Sequence, residues 1–173
     1  MSINIINMKK YFLVTVLFLS ISLTVFGQKN NDFPSFEKFY SSLAVSLKYP
    51  IELQDSCIPT ITLMKIIFDN TGKIESLSFS DSAHPKFVEY MQKIKSELDF
   101  NSIYNDLHLK NNNAILIPLQ IDFEKMDKCK STISSANLKK LYLFEGKPLS
   151  GEYFLYPYVY ANYVVGRVQE EHF

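Results

Sequence analysis

The sequence lacks the residue patterns that most catalytic and cofactor sites require. Five glycines in 173 residues form neither a phosphate-binding loop nor a GlyXaaSerXaaGly elbow. The three histidines, His84, His108 and His172, have no metal-ligand spacing, and no CysXaaXaaCys occurs. A zinc site assembled from distant positions is the alternative, but a surface histidine is commoner. We therefore predict a protein that is not an enzyme and holds no cofactor or metal.

The sequence also lacks an excess of either charge. Lys and Arg number 18, and Asp and Glu also number 18. No basic stripe is present that would bind nucleic acid or an anionic lipid surface. Both of these partners are therefore excluded from the predicted function.

The apolar run at the N-terminus is too short to be a good membrane anchor. Lys9 and Lys10 precede Tyr11 to Phe26, and sixteen helical residues span only about 24 Å of a hydrocarbon core about 30 Å thick. Small residues near Gly27 predict a signal peptide over residues 1–27, cut after Gly27. The mature chain of about 145 residues would have 16 basic and 18 acidic residues and a net charge of about −2. We expect a periplasmic or secreted protein without a stable membrane anchor; a retained anchor is the alternative.

Two β-rich runs around a short turn form the strongest local signal. Thr60–Phe68 and Lys73–Ser80 are rich in β-branched and apolar residues, and AspAsnThrGly lies between them. Gly72 supplies the positive φ that such a turn needs. The pattern predicts a β-hairpin.

Two amphipathic helices flank this hairpin. Helical spacing of apolar residues begins near Pro34 and ends at Tyr49, because Pro50 disfavours helical geometry in the residue before it. A second apolar stripe predicts a helix from about Pro85 to Leu98. Residues 99–113 are interpreted as a loop or a frayed helix.

A strand is predicted over residues 114–123, where apolar residues alternate strictly from Ile115 to Phe123. Pro118 lies among the even-numbered positions, between these apolar residues, and has no N–H to donate to a neighbouring strand. Proline inside a strand is typical of a sheet edge. We therefore expect this strand to border its sheet.

The order helix, hairpin, helix, alternating strand resembles the TonB C-terminal domain family. The matching segments are LeuLysTyrPro at 47–50, IleIlePheAspAsnThrGlyLysIle at 66–74 and IleProLeuGlnIleAspPhe at 117–123. The resemblance implies an α+β domain over residues 28–126, with a three-stranded antiparallel sheet and two helices on one face. It also implies that an envelope protein, or a peptide of an outer-membrane transporter, adds a strand to the final edge. The edge residues would be Leu116, Pro118, Gln120 and Asp122.

Two further expectations follow from this resemblance. The chain has no proline-rich segment to span the periplasm, so we expect a binding module without energy coupling; an anchored transducer is the alternative. The implied topology places Cys57 and Cys129 at one end of the sheet, where a disulfide could join them. Two separate buried thiols are the alternative.

The resemblance does not cover residues 127–173, an extension rich in tyrosine. The segment around Gly146 predicts a second hairpin. Its tyrosines would serve either as an interface or glycan-contacting surface, or simply pack on the sheet. The rival function is a secreted ligand-binding protein or hydrolase with a pocket lined by Tyr153, Tyr156 or Tyr158.

Overall fold

The computed structural model describes residues 34–108, 113–126 and 128–166, which form an α+β fold. The helices are α1 Pro34–Ser46, α2 Ile51–Gln54, α3 Pro85–Ile94, α4 Phe100–His108 and α5 Ser135–Lys140. The strands are β1 Thr60–Phe68, β2 Ile74–Phe79, β3 Ala114–Lys125, β4 Leu143–Phe144, β5 Lys147–Pro148, β6 Phe154–Leu155 and β7 Val159–Val165. No helix among these residues is long and apolar enough to cross a membrane. The predicted signal peptide lies outside the described residues.

The main helices begin and end where local chemistry favours it. Helix α1 starts at Pro34, whose fixed φ suits a first turn, and ends four residues before Pro50. His84 caps α3, because its ring nitrogen Nδ1 accepts a hydrogen bond from the Lys86 N–H at 3.2 Å. Helix α4 occupies most of the segment that the sequence left open between a loop and a frayed helix.

The sheet is larger than predicted and mixed. Five strands lie in the order β2-β1-β3-β6, and β7 also pairs with β3. Strands β2, β1 and β3 are antiparallel neighbours, as expected. The prediction of a three-stranded antiparallel sheet is wrong because β6 and β7, from the tyrosine-rich extension, add to β3 in parallel.

The β1–β2 hairpin forms around the predicted turn. The Asp69 carboxylate accepts hydrogen bonds from the N–H groups of Thr71 and Lys73, and Gly72 has a φ of 81°. A β-bulge at Ile67 and Phe68 shifts the register next to the turn. Local sequence therefore determines this part of the sheet.

One face of the sheet packs on the helices. On this face, Met64 and Ile66 of β1 are fully buried. The ring of Phe79 in β2 contacts the ring of Phe87 in α3 edge to face. Fully buried apolar side chains of β3 on the same face are Ile115 and Ile117. The core thus lies between the sheet and helices α1, α3 and α4.

A disulfide joins Cys57 and Cys129, whose Cα atoms are 5.9 Å apart, as the resemblance implied. It connects the segment before β1 to the turn after β3. The Ser131 hydroxyl also accepts from the N–H of Phe123 and donates to its carbonyl, at 2.7 and 3.0 Å. A disulfide of this kind indicates a compartment other than the reducing cytoplasm.

The extension also forms the small hairpin β4–β5. Glu145 and Gly146 have φ values of 52° and 74°, which is the two-residue turn that suits a tight hairpin. The Asp81 carboxylate accepts from the N–H groups of both turn residues, at 2.9 and 2.8 Å. This places the hairpin beside the end of β2.

Candidate interaction edge

Strand β3 does not border the sheet. It pairs with β1 on one side and with β6 and β7 on the other. The sequence-based placement of Leu116, Pro118, Gln120 and Asp122 at an open edge is therefore wrong, because the chain's own extension lies along that side of β3. Their contact with a partner stays a prediction.

Pro118 is tolerated for a reason that the sequence pattern did not reveal. The N–H of Tyr156 donates to the Leu116 carbonyl at 2.8 Å, and that of Met126 donates to the Val165 carbonyl at 3.0 Å. The backbone N–H and C=O groups of the even-numbered residues of β3 thus point toward the extension. Pro118 is one of them, and it falls in the gap between the residues that pair with β6 and those that pair with β7. Its missing N–H therefore costs no ladder bond.

The segment that joins β6 to β7 contributes to the core. The fully buried ring of Tyr156 contacts Phe36 and Phe39 of α1, and its hydroxyl hydrogen-bonds to the buried Ser35 hydroxyl, which donates to Asp106. Burial raises the pKa of Tyr156 to about 12. These contacts tie the extension to α1 and α4.

A second aromatic contact fixes the far end of the extension. Tyr163 stacks on Tyr49 with ring centroids 6.2 Å apart, and its hydroxyl donates to the Leu47 carbonyl at 3.0 Å. Tyr49 in turn stacks on Phe123 of β3 at 5.8 Å. Burial raises the pKa of Tyr49 to about 12. Tyr156 and Tyr163 are therefore packing residues, the first against α1 and the second against the segment that follows it.

The β2 border of the sheet is partly closed. The Gln92 side chain of α3 donates to the Leu77 carbonyl at 2.9 Å. The Ser80 N–H donates to the Leu63 carbonyl of β1. Backbone groups alternate in direction along a strand, so the N–H and C=O groups of Leu77, three residues earlier, point away from β1. The β4–β5 hairpin is bonded to Asp81 just beyond this strand. An incoming strand would have to displace these groups.

The β7 border of the sheet is open within the part of the chain that the structure describes. Among the described residues, β7 pairs with β3 alone. The Val165 carbonyl points toward β3. Because the direction of the backbone groups alternates along a strand, the N–H and C=O groups of Ala161, Tyr163 and Val165 point toward β3. The N–H and C=O groups of Tyr160, Asn162 and Val164 then face outward. These three residues also have exposed side chains.

The sequence of strand β7 has none of the residues that usually protect an edge. Its sequence, ValTyrAlaAsnTyrValVal, contains no charge, no proline and no glycine. Natural edge strands usually carry lysine, proline or a bulge that prevents pairing with another chain. Uncharged runs of β-branched and aromatic residues favour such pairing. The composition of β7 is therefore suited to accept a further strand.

A chain of hydrogen bonds covers the outer face of the sheet beside β7. The Tyr158 hydroxyl donates to Gln120 Oε1 at 2.6 Å, and Gln120 Nε2 donates to Asp122 Oδ2 at 3.0 Å. Tyr160 also hydrogen-bonds to Asp122; burial, then this bond and the nearby carboxylate charge raise its pKa. Two of the four residues of the predicted edge thus lie one strand inside the β7 border, with Gln120 opposite Tyr160 and Asp122 opposite Asn162.

Three cavities lie among the described residues. One of about 590 Å³ lies near Met126 and Val164, one of about 290 Å³ near Lys48 and Tyr90, and one of about 450 Å³ near Phe144. None of these three is lined by Tyr153, Tyr156 or Tyr158, the residues that the rival required. Within residues 34–108, 113–126 and 128–166, no cluster of His, Cys, Asp and Glu is arranged to hold a metal.

Comparison with protein-family models, with curated proteins and with solved structures finds no match for this chain. The functional argument therefore depends on the geometry of the sheet border alone.

Proposed function

We propose that this chain is an exported, non-enzymatic protein-interaction module of the TonB C-terminal type. It binds an envelope protein, or an outer-membrane transporter peptide, by strand addition. The accepting border is β7, not the β3 border that the sequence predicted. Its site of action is the periplasm or the exterior of the cell, and the Cys57–Cys129 disulfide supports export.

The observation that carries the proposal is the contrast between the two borders of the sheet. At β2, Gln92 bonds to one outward carbonyl, and the β4–β5 hairpin lies just beyond the end of the strand. At β7, a seven-residue uncharged strand has one neighbour among the described residues. Backbone groups without a protein partner gain hydrogen bonds when an extended peptide lies beside them. Among the described residues, the β7 side is therefore more accessible to strand addition than the β2 side.

The geometry defines what the added strand would contact. Seven residues at about 3.3 Å each give an acceptor about 23 Å long. Tyr160, Asn162 and Val164 supply the backbone groups, and their side chains lie beside alternate residues of the partner. This accounts for affinity through the backbone and for selectivity through one row of side chains.

The test is site-specific cross-linking in the envelope of living cells. A photoreactive phenylalanine analogue at Tyr160 should give one discrete adduct, and the same analogue at the exposed Glu75 on β2 should not. Asn162→Pro should abolish the adduct, because it removes an outward-facing N–H that has no ladder bond in β7. A thermal melt of this variant shows whether the fold is retained.

Two results would refute the proposal. One is an adduct of equal yield from Tyr160 and Glu75. The other is an adduct at Tyr160 that persists in a folded Asn162→Pro variant. Either result would mean that the cross-link reports general proximity and not a strand paired with β7.

A further inference from the structure

The charges beside the open border are distributed unevenly. Strand β7 is uncharged. On the neighbouring strand β3, Asp122 is the residue paired with Asn162. Asp122 forms no ion pair within 4 Å among the described residues. Glu124, two residues further along β3, lines the same cavity as Lys128 and Lys130. Asp122 is therefore a carboxylate beside this border that no lysine among the described residues pairs with.

The spacing of the strands places Asp122 within reach of a visiting side chain. Neighbouring strands lie about 4.8 Å apart, so a residue opposite Asn162 is about 10 Å from Asp122, backbone to backbone. Lysine and arginine have long flexible stems that can lie along a surface and carry the charge to its end. Shorter or neutral side chains would not neutralise this carboxylate.

The same position also offers an aromatic contact. The half-exposed ring of Tyr160 lies on the same face of β7 as Asn162, two residues away. A cation near a tyrosine ring gains further attraction from its π electrons. Charge and ring thus favour the same kind of residue.

We infer that the strand accepted by β7 carries a lysine or an arginine opposite Asn162, with its charge directed to Asp122. This inference rests on the proposed function and names the chemistry of the partner. The preference for lysine or arginine depends on the position in the peptide. A lysine moved by one place would point to the other face of the sheet.

The experiment uses synthetic nine-residue peptides of alternating threonine and valine with blocked ends. They differ only in the central residue, which is lysine, glutamine or glutamate, and a fourth peptide moves the lysine by one place. Affinities for the full mature chain are measured by fluorescence anisotropy in low and high salt. We expect the central-lysine peptide to bind about ten-fold more tightly than the glutamate peptide in low salt, and less so in high salt.

A matched pair of variants assigns the effect to Asp122. Asp122→Asn keeps an oxygen that can accept from Gln120 and Tyr160, and it should reduce the lysine preference to about two-fold or less. Glu75→Gln removes an exposed carboxylate at the other border and should leave the preference unchanged.

The outcomes separate this inference from the proposed function. Equal binding of all four peptides, abolished by Asn162→Pro, would overturn the inference and leave strand addition at β7 intact. Binding that Asn162→Pro does not affect, or no binding of any peptide together with no cross-link at Tyr160, would overturn the proposed function itself. Self-association seen by sedimentation and abolished by Asn162→Pro would show that a second copy occupies the border, which also overturns the inference.

Discussion

Loss of the Cys57–Cys129 disulfide should cost a large part of the stability of this fold. The two cysteines are 72 positions apart in sequence. In the chain-entropy model, closing a loop of that length lowers the entropy of the unfolded chain enough to stabilise the fold by about 4 kcal/mol. The free energy of unfolding of domains of this size is about 5–15 kcal/mol, so we expect the reduced protein to be only marginally stable.

The backbone at Cys57 refines this expectation. Cys57 has a φ of 47°, in the left-handed region that costs a non-glycine residue about 1–2 kcal/mol. Once the disulfide is gone, this conformation is no longer held by the covalent link. The double variant Cys57→Gly/Cys129→Ala should therefore be about 1 kcal/mol more stable than Cys57→Ala/Cys129→Ala.

The assay is urea unfolding of residues 28–173 with and without a phosphine reductant. We expect the wild-type midpoint to fall on reduction to near that of the alanine double variant, whose own midpoint should not respond to the reductant. The reasoning would be refuted if reduction left the wild-type midpoint unchanged. It would also be refuted if the alanine variant lost stability on treatment with the reductant.

Two further predictions follow from the packing of the extension. Gln120→Pro should destabilise the fold by about 2 kcal/mol, because Gln120 faces β7 and its N–H lies within the ladder; a midpoint equal to that of wild type in urea would show that β7 does not pair there. Stability should also fall as the pH rises from about 10 to 12. The unfolded phenols of Tyr49 and Tyr156 lose their protons near pH 10, whereas burial holds the folded values at about 12, so the folded state binds more protons in this range. Each such phenol contributes at most about 1.4 kcal/mol per pH unit. Tyr156→Phe should flatten the pH dependence of the urea midpoint, and an unchanged slope would contradict the assignment.

The local parts of the fold could be predicted from the sequence. The hairpin at Asp69–Gly72, the apolar stripe of α3 and the alternation of β3 are all set by neighbouring residues, and each forms near its predicted position. Local chemistry also explains the turn at Gly146. The disulfide was implied by the resemblance and is present.

The border of the sheet could not be predicted, because it depends on pairing between distant segments. Pro118 is compatible both with a sheet edge and with a gap between two short strands, and the sequence pattern does not distinguish them. Strand β6 has only two residues and gives no periodic signal. Strand β7 does have a signal, the β-branched and aromatic run from Val159 to Val165, but that run does not reveal its partner. Long-range packing by Tyr156 decides where the extension lies.

Amide hydrogen exchange, resolved residue by residue in residues 28–173, tests the central claim most directly. The account predicts protected N–H groups at Ala161, Tyr163 and Val165, fast exchange at Tyr160 and Asn162, and protection of the latter two when a strand binds. Fast exchange along the whole of β7, with equally fast exchange at Gln120 of β3, would contradict the account, since it would mean that the extension leaves β3 open.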